Sequence, residues 1–365
     1  MGEKITGLSR DLIFHPGETL REILDDRGMS QKELSQRTGV RESYISNIIN
    51  GKKNISATFA KKMEYALGIE SSFWINLQAN YEKEVLDLKE QNEITDDELQ
   101  IAEKLNDILK YLEDRNFIEN TPSSITKLLE LRKFLSVCNL TLIPSLQYNN
   151  IAFRTSETEN IDIYVLYAWQ KLCEKLTCDV ETNSELNLSK LNKNILMIKE
   201  LMFLKDPNDI QNKLTKIFSD CGIAFAIVPN FRGAPVQGYI KKISENRLML
   251  CMTLRRSYAD IFWFTLFHEI AHILNEDYQN YFVDFQVTRS EVEDKADKFA
   301  KDTLIDPIQY QHFLSMKRHD LQSIEMFARM VSVPPYIVIG RMQKEKIIGF
   351  NMFSNEKPRY KWGKE

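Results

Sequence analysis

Residues 262–274 read Phe-Trp-Phe-Thr-Leu-Phe-His-Glu-Ile-Ala-His-Ile-Leu, an apolar run without proline or glycine that predicts a buried helix. Three titratable side chains interrupt the run as His-Glu-x-x-His. Because positions i and i+4 share one face of a helix, His268 and His272 can direct two imidazoles at one metal ion. Glu269 can then reach a metal-bound water as a general base. Two hydrogen-bonded core histidines are the alternative, but a charged glutamate beside them would be costly without a metal.

A metal held by these two histidines needs a third protein ligand, which a second helix-forming segment over 290–300 offers. Glu293 and Asp297 lie one turn apart on this segment. Glu293 as the third ligand and Asp297 as the acceptor of a histidine N–H would complete a zinc site with one open position. Glu291 and Asp294 are the alternative third ligands. A carboxylate on an acidic helix is usually only solvated, but its place after His-Glu-x-x-His favours a ligand.

These two segments resemble the ImmA/IrrE family of zinc metallopeptidases, through the helix motif and through Glu-x-x-Ala-Asp-x-Phe-Ala-x-x-x-Leu-Ile-x-Pro at 293–307. The resemblance extends from about Cys221 to Trp362. It includes Val-Pro-Asn-Phe-Arg-Gly-Ala-Pro-Val-Gln-Gly at 228–238 and Val-Pro-Pro-Tyr-Ile-Val-Ile-Gly-Arg-Met-Gln at 333–343.

The resemblance implies a zincin-like domain in which His268, His272 and Glu293 bind Zn²⁺ and Glu269 is the catalytic base of an endopeptidase. The implied substrate is another regulatory protein, such as a repressor or toxin partner, or a copy of the chain itself. Ala271 departs from the family, which usually has glycine there. Alanine favours a helix and adds little bulk, so the motif is not put in doubt.

The N-terminal segment carries a second pattern, which is typical of a helix-turn-helix. Ser30 and Glu33 form a capping box that opens a helix ending at Gly39. Another helix follows over 41–50 and ends at Gly51. Two short helices joined at a glycine, with apolar side chains turned inward, are the helix-turn-helix pattern. The inward side chains are Leu34, Val40, Ile45 and Ile48.

Residues 12–82 resemble the XRE-type repressor fold, and more closely the HigA-type antitoxins. The likeness rests on His-Pro-Gly-Glu at 15–18 and on Phe-Trp-x-Asn-Leu-Gln at 73–78. It implies a homodimer that binds double-stranded DNA. The implied contacts are Gln31 against the DNA, Glu42, Ser43 and Asn47 at base edges, and Arg41, Lys52 and Lys53 at phosphates.

Two points qualify the DNA-contact prediction. A carboxylate near phosphates is repelled, so Glu42 fits only if it accepts a hydrogen bond from a cytosine amino group. A helix-turn-helix kept only for protein contacts is the alternative. The net charge of −4 gives the whole chain no attraction to nucleic acid, so DNA binding must come from a local basic face.

The 365 residues, with 43% hydrophobic and 27% charged side chains, suit a globular protein of two or three domains. No secretory or membrane-spanning apolar run is present. The five cysteines form no Cys-x-x-Cys pair, which favours reduced thiols in a cytoplasmic protein.

The patterns together predict a mainly α fold with a small β-sheet (α+β). We expect an N-terminal five-helix, repressor-like helix-turn-helix domain over 1–82, a helical middle region over 83–205 and a C-terminal zincin-like domain over 206–365. A sheet beside the active helix could accept an extended substrate at its edge. Its strands are expected at 223–228, 236–241 and 247–252. Helices of the middle region are expected at 95–114, 121–137, 163–178 and 188–204, with a loop at 140–157.

The sequence therefore predicts a transcriptional regulator that binds DNA and carries a zinc-dependent endopeptidase. The alternative is a HigA-like antitoxin or repressor that acts by DNA and partner binding, with a metal site that is structural, sensory or latent. Glu269 favours the enzyme, because a structural metal site has no need of a general base.

Overall fold

The computed structural model describes residues 13–147, 161–182, 184–255, 257–278 and 289–360. Helices dominate, and the described residues contain a three-stranded sheet, which confirms the predicted mainly α fold with a small sheet. The chain divides into two compact units. One unit comprises Met1–Leu99 and Thr121–Leu128, and the other comprises Gln100–Asn120 and Leu129–Glu365. The predicted three-part division at residues 82 and 205 stays a prediction.

The first unit begins with five helices around one apolar core. The helices are α1 Pro16–Asp26, α2 Gln31–Thr38, α3 Glu42–Ile49, α4 Ala57–Leu67 and α5 Ser71–Asn92. Apolar side chains at helical spacing turn inward from each of them, and burying one such side chain contributes roughly 1.5–3 kcal/mol. The fully buried ones include Leu20, Leu34, Ile45, Ile48, Ala60 and Trp74.

The start of α1 explains the His-Pro-Gly sequence. His15 is the N-cap, and its Nδ1 accepts a hydrogen bond of 2.9 Å from the backbone N–H of Gly17. Pro16 takes the first helical position, where no N–H is needed. A β-carbon on Gly17 would stand 1.9 Å from the carbonyl oxygen of Ile48. Only glycine therefore allows α1 to pack this closely on α3.

The connection between α2 and α3 forms at Gly39. Ser30 caps α2, with its Oγ accepting from the N–H of Glu33 at 3.1 Å, as the predicted capping box requires. The carboxylate of Glu33 pairs with Arg37 one turn later, at 2.7 Å. Gly39 then adopts a left-handed conformation with φ 64°, which glycine favours and which ends the helix.

Seven α-helices follow in the described residues before residue 205, and several are shorter than predicted. They are α6 Asp96–Lys104, α7 Asn106–Asp114, α8 Ser124–Leu135, α9 Ile143–Gln147, α10 Ile163–Cys178, α11 Leu188–Lys193 and α12 Ile195–Glu200. Leu105 interrupts the helix predicted over 95–114, and Asn194 interrupts the one predicted over 188–204. The loop predicted over 140–157 is helical to residue 147, and its remainder lies outside the described residues.

A helix and a mixed sheet open the part of the second unit that carries the site. Helix α13 spans Pro207–Ser219, and the strands are β1 Ile223–Val228, β2 Gly238–Ser244 and β3 Arg247–Thr253. Their order is β1-β3-β2, with β1 parallel and β2 antiparallel to β3. Strand β2 begins two residues later than predicted. It lies at an edge of the sheet.

Five more α-helices lie in the described part of the second unit. They are α14 Ala259–Leu274, α15 Arg289–Leu304, α16 Pro307–Ser315, α17 Leu321–Met330 and α18 Pro335–Lys344. Helix α14 contains the apolar run and packs against β2, β3, α15 and α18. Trp263 is fully buried, and its Nε1 donates to the hydroxyl of Tyr360 at 2.8 Å. None of the helices in the described ranges has the length and apolar character to cross a membrane.

Candidate functional site

Helix α14 holds the two motif histidines inside the second unit. His268 is fully buried and His272 is 5% exposed. Their rings lie edge to face, with centroids 4.6 Å apart and planes at 75°. The two Nε2 atoms are 2.9 Å from each other. The helical spacing therefore directs both imidazoles to one point, as the motif predicts.

Carboxylates bind the other nitrogen of each ring. Nδ1 of His268 lies 2.8 Å from Oδ1 of Asp297, and Nδ1 of His272 lies 2.8 Å from Oδ2 of Asp277. A neutral ring held in this way donates its Nδ1–H to the carboxylate and keeps a lone pair on Nε2. Two lone pairs facing each other at 2.9 Å repel, and a cation shared between them would turn this repulsion into attraction.

Glu293 supplies a third donor to the same point. Its Oε2 lies 3.2 Å from Nε2 of His268, and its Oε1 lies 3.7 Å from Nε2 of His272. The three ligand atoms lie within 4.8 Å of one another. Two imidazole nitrogens and one carboxylate oxygen form the donor set of a zinc site with an open position, so these residues fit zinc.

The two alternative third ligands take other positions on α15. Glu291 and Asp294 are exposed. Among the residues that the structure describes, the group of side chains able to hold a metal consists of His268, His272 and Glu293. Oδ1 of Asp297 lies beside Nδ1 of His268, the position in which it can accept the N–H of this histidine.

The carboxylate of Glu269 is buried beside these ligands and contacts the sheet. Glu269 is 6% exposed. A β-carbon on Gly238, the first residue of β2, would stand 2.4 Å from Oε1 of Glu269. The backbone of the edge strand therefore lies directly against this carboxylate. Gly238 is the last residue of the segment 228–238. A glycine at this position is the sequence feature that indicates the close approach.

Two further residues of the site were not singled out from the sequence. Asp277 follows α14 and binds His272, and an acidic residue just after the helix is the signal that could have identified it. Lys344 lies on α18, with Nζ 3.4 Å from Oδ2 of Asp297 and 3.8 Å from the ring centroid of Phe264. No local sequence pattern marks Lys344, because only packing brings α18 to this site.

The helix-turn-helix surface lies in the first unit. Arg41 is the N-cap of α3, and Glu42 and Ser43 are its first two residues. These three side chains and Asn47 are exposed. The opposite face of α3 is buried through Ile45, Ile48 and Ile49. The predicted base-contacting side chains therefore share the exposed face of this helix.

The remaining predicted DNA contacts flank α3. Lys52 and Lys53 follow it and are exposed. The Nζ of Lys53 lies 4.7 Å from the ring centroid of Tyr44, and the backbone N–H of Lys52 donates to Asn47 at 2.8 Å. Gln31 is the first residue of α2 and is half-buried. Lys52 and Lys53 add positive charge beside the exposed face of α3.

Comparison with known proteins identifies the N-terminal segment. A family profile described as Helix-turn-helix matches residues 20–74, which confirms the predicted motif. Virulence-associated protein A' of Dichelobacter nodosus is 38% identical over 69 residues, which are 19% of this chain and 60% of that protein. Antitoxin HigA-1 of Vibrio cholerae serotype O1 is 40% identical over 63 residues, which are 17% of this chain and 59% of that protein. The chain thus spans about 60% of the length of these two relatives.

A solved structure is similar over the same part of the chain. It is an addiction module antidote protein of a HigA family from Coxiella burnetii, 28% identical, with a TM-score of 0.21. The similarity covers 23% of this chain and 96% of that one.

Proposed function

The chain belongs to the helix-turn-helix family through residues 20–74, and from this membership we propose that it is a DNA-binding transcriptional regulator. We propose further that its C-terminal region is a zinc-dependent endopeptidase of the ImmA/IrrE type, which cleaves a regulatory protein. That protein would be a repressor or a toxin partner, and the HigA-1 relative, named an antitoxin, supports the toxin partner.

One observation carries the peptidase proposal. The three ligand atoms of His268, His272 and Glu293 converge, and Glu269, the residue after His268, is buried with its carboxylate against the backbone of Gly238. Bound zinc would polarise the scissile carbonyl and lower the pKa of a water. A purely structural metal would give the chain no reason to bury the carboxylate of Glu269 at this point.

The chain's own residues have separate tasks in this reaction. Asp297 and Asp277 fix the tautomers and orientations of the two imidazoles. Glu269 takes the proton of the attacking water and passes it to the leaving amine. Strand β2 lies at an edge of the sheet, and an extended peptide would add to that edge by backbone hydrogen bonds. The contact between Gly238 and Glu269 would bring such a peptide close to the base.

For DNA binding, the exposed face of α3 is proposed to enter the major groove. A homodimer would direct one α3 into each of two half-sites. Glu42, Ser43 and Asn47 would contact base edges, and positive side chains beside them would contact phosphates. The proposed phosphate contacts are Arg41, Lys52 and Lys53.

A second candidate function is an antitoxin or repressor without catalysis. It is favoured by the similarity of residues in the helix-turn-helix part to Antitoxin HigA-1. In this case the metal would only join α14 to α15, because the ligands come from both helices.

Glu269→Gln separates the two functions. The variant keeps the size of the side chain but cannot accept a proton at neutral pH. Proteins that copurify with the Glu269→Gln chain would be incubated with zinc-loaded wild type or variant and followed by mass spectrometry. A peptidase cleaves one of them, and the variant is slower by roughly 10²–10⁴-fold while it retains zinc. If the wild type and the Glu269→Gln variant regulate equally and neither cleaves a copurifying protein, the antitoxin function is supported instead.

A further inference from the structure

A cavity of about 790 Å³ lies in the second unit beside the metal centre. Its walls come from α14, α15, α18, the segment 350–357 and the residues Gln237, Arg255 and Tyr258. Neither Glu269 nor any of the three ligands lines it. Sites for small organic ligands usually measure roughly 300–1,000 Å³, so the cavity has the size of a ligand site.

One part of the cavity wall is apolar. Phe264 and Ile261 line it one and two turns before His268 on α14, and the other apolar side chains come from α15, α18 and the C-terminal segment. Burial of a hydrocarbon body against these residues would stabilise a ligand. The apolar lining consists of Ile261, Phe264, Leu304, Ile305, Ile337 and Phe350.

Positive side chains outnumber negative ones in the rest of the wall. The cations are Arg255, Lys301, Arg341, Lys344 and Lys357, and the acids are Asp260 and Glu345. Arg341 pairs with Glu345 at 3.2 Å, and Lys357 pairs with Asp260 at 2.6 Å. Lys301 has no ion-pair partner within the described ranges, and Nζ of Lys344 lies 3.4 Å from Oδ2 of Asp297. The cavity therefore favours an anion.

Asp260 gives an independent indication of a ligand. The residue is 8% exposed and lines the cavity, and its Oδ1 is buried without a hydrogen-bond partner among the described residues. Burial raises the pKa of this carboxyl, and the ammonium of Lys357 opposes the rise. A buried acceptor without a partner is costly, and a donor on a ligand would remove that cost.

We propose that this cavity binds a small organic anion that has an apolar body, an N–H or O–H donor, and a carboxylate or phosphate head group. The head group lies at Lys301 and Lys344, the donor at Asp260 and the apolar body at Ile261 and Phe264. This ligand is separate from the peptide substrate.

The cavity is connected to the metal centre through Lys344. Its ammonium binds Asp297, which in turn binds Nδ1 of His268. A ligand anion that draws Lys344 away makes the Asp297 carboxylate a stronger acceptor and His268 a better metal ligand. The ligand should therefore tighten zinc binding, and this part of the inference rests on the proposed metal function.

The binding test uses calorimetric titration of the full chain after zinc has been removed with a chelator. The probes share one amide and one alkyl chain and differ in the head group. N-octanoylglycine carries a carboxylate, N-octanoyl-O-phosphoethanolamine a phosphate, and N-octanoylethanolamine no charge. One or both anions should bind at least tenfold more tightly than the neutral probe, and the tighter anion identifies the head group.

Matched variants test the position. Lys301→Gln should weaken binding of the anionic probe by about tenfold. Lys298 is an exposed lysine of the same helix outside the cavity wall, and Lys298→Gln should leave this affinity unchanged. Equal binding of the three probes, or no binding at millimolar concentration, would overturn the proposal. Equal effects of Lys301→Gln and Lys298→Gln on anion binding would also overturn it. The comparison of probes on the wild type decides the question even if a variant does not fold.

The connection to the metal has a thermodynamic test without catalysis. The anion should raise zinc affinity about fivefold or more, and zinc should raise the anion's affinity by the same factor. Lys344→Gln should remove this mutual effect. Anion binding without an effect on zinc would overturn the connection alone. Tight zinc binding without peptide cleavage would contradict the peptidase and leave the anion site intact.

Discussion

The α-carbon of Gly238 faces the carboxylate of Glu269 so closely that a β-carbon there would stand 2.4 Å from Oε1. Glu269 belongs to α14, which carries both motif histidines, whereas Gly238 opens the edge strand β2. The buried carboxylate and the strand backbone are therefore in direct contact. Any other residue at position 238 would push them apart.

Gly238→Ala should therefore disturb the site without removing a ligand. The added methyl group forces the Glu269 carboxylate or strand β2 to move, at a cost of about 1–3 kcal/mol in the free energy of unfolding. Denaturant unfolding would measure this loss, and metal analysis should still find zinc. Peptide cleavage should fall more than zinc content does. Unchanged stability and cleavage together would contradict the close contact.

The metal prediction is about one zinc per chain, with histidine nitrogens at roughly 2.0–2.1 Å. His272→Ala should release the zinc. Asp277→Asn and Asp297→Asn should weaken zinc binding by roughly 10–100-fold, because each acid orients one imidazole. Competition with a chelator measures these affinities. Glu291→Gln, an exposed acid on the helix of Glu293, is the control and should bind zinc like wild type.

Two substitutions near α3 should affect DNA binding differently. Asn47→Ala should reduce discrimination between operator and unrelated DNA by roughly 1–3 kcal/mol if its contact is bidentate. Lys53→Ala should weaken binding to all sequences and reduce the slope of log affinity against log salt by about 1. Fluorescence anisotropy across salt concentrations separates the two effects. Lys83→Ala, an exposed lysine of α5, serves as the control.

The first unit should lose stability as the pH falls below about 6.5. Burial lowers the pKa of His15 from its ordinary value of 6.5, against the opposing influence of Glu18 and Asn54. Nδ1 of this ring accepts the N–H of Gly17, which requires the neutral form. The unfolded chain then binds more protons, so stability is complete above 6.5 and declines as the pH falls towards the folded-state pKa.

Thermal unfolding at pH 7.5 and 5.5 would test this dependence. His15→Asn keeps a capping side chain but removes the titrating ring, so the variant should lose less stability between the two pH values. An identical pH dependence in wild type and variant would mean that other groups control it.

Local patterns in the sequence were sufficient for the elements with strong caps and clear periodicity. Helix α10 has the predicted bounds, with Asp162 accepting from the N–H groups of Tyr164 and Val165. In two places the apolar residues keep a helical spacing across a break that contains no proline or glycine. There the sequence predicts one helix, and the structure has two. Leu105 and Asn194 are such breaks.

The grouping of the predicted ligands could be expected because His268 and His272 are one turn apart on one helix and Glu293 lies on the next helix that the sequence predicts. Their role as zinc ligands stays a prediction. Asp277, Gly238 and Lys344 reach the site from a helix end, an edge strand and a distant helix. Their roles depend on how these elements pack, and no pattern within a short window encodes that packing.

The order of the strands also determines when the sheet can form during synthesis. Strands β1 and β2 both pair with β3, which is the last of the three to be made. The adjacent β2 and β3 can close a local hairpin, and β1 then joins across a longer separation. Helix α14 leaves the ribosome only after β3. The apolar helix α14 thus emerges after the strands β2 and β3 against which it packs, which shortens the time during which its apolar face could aggregate.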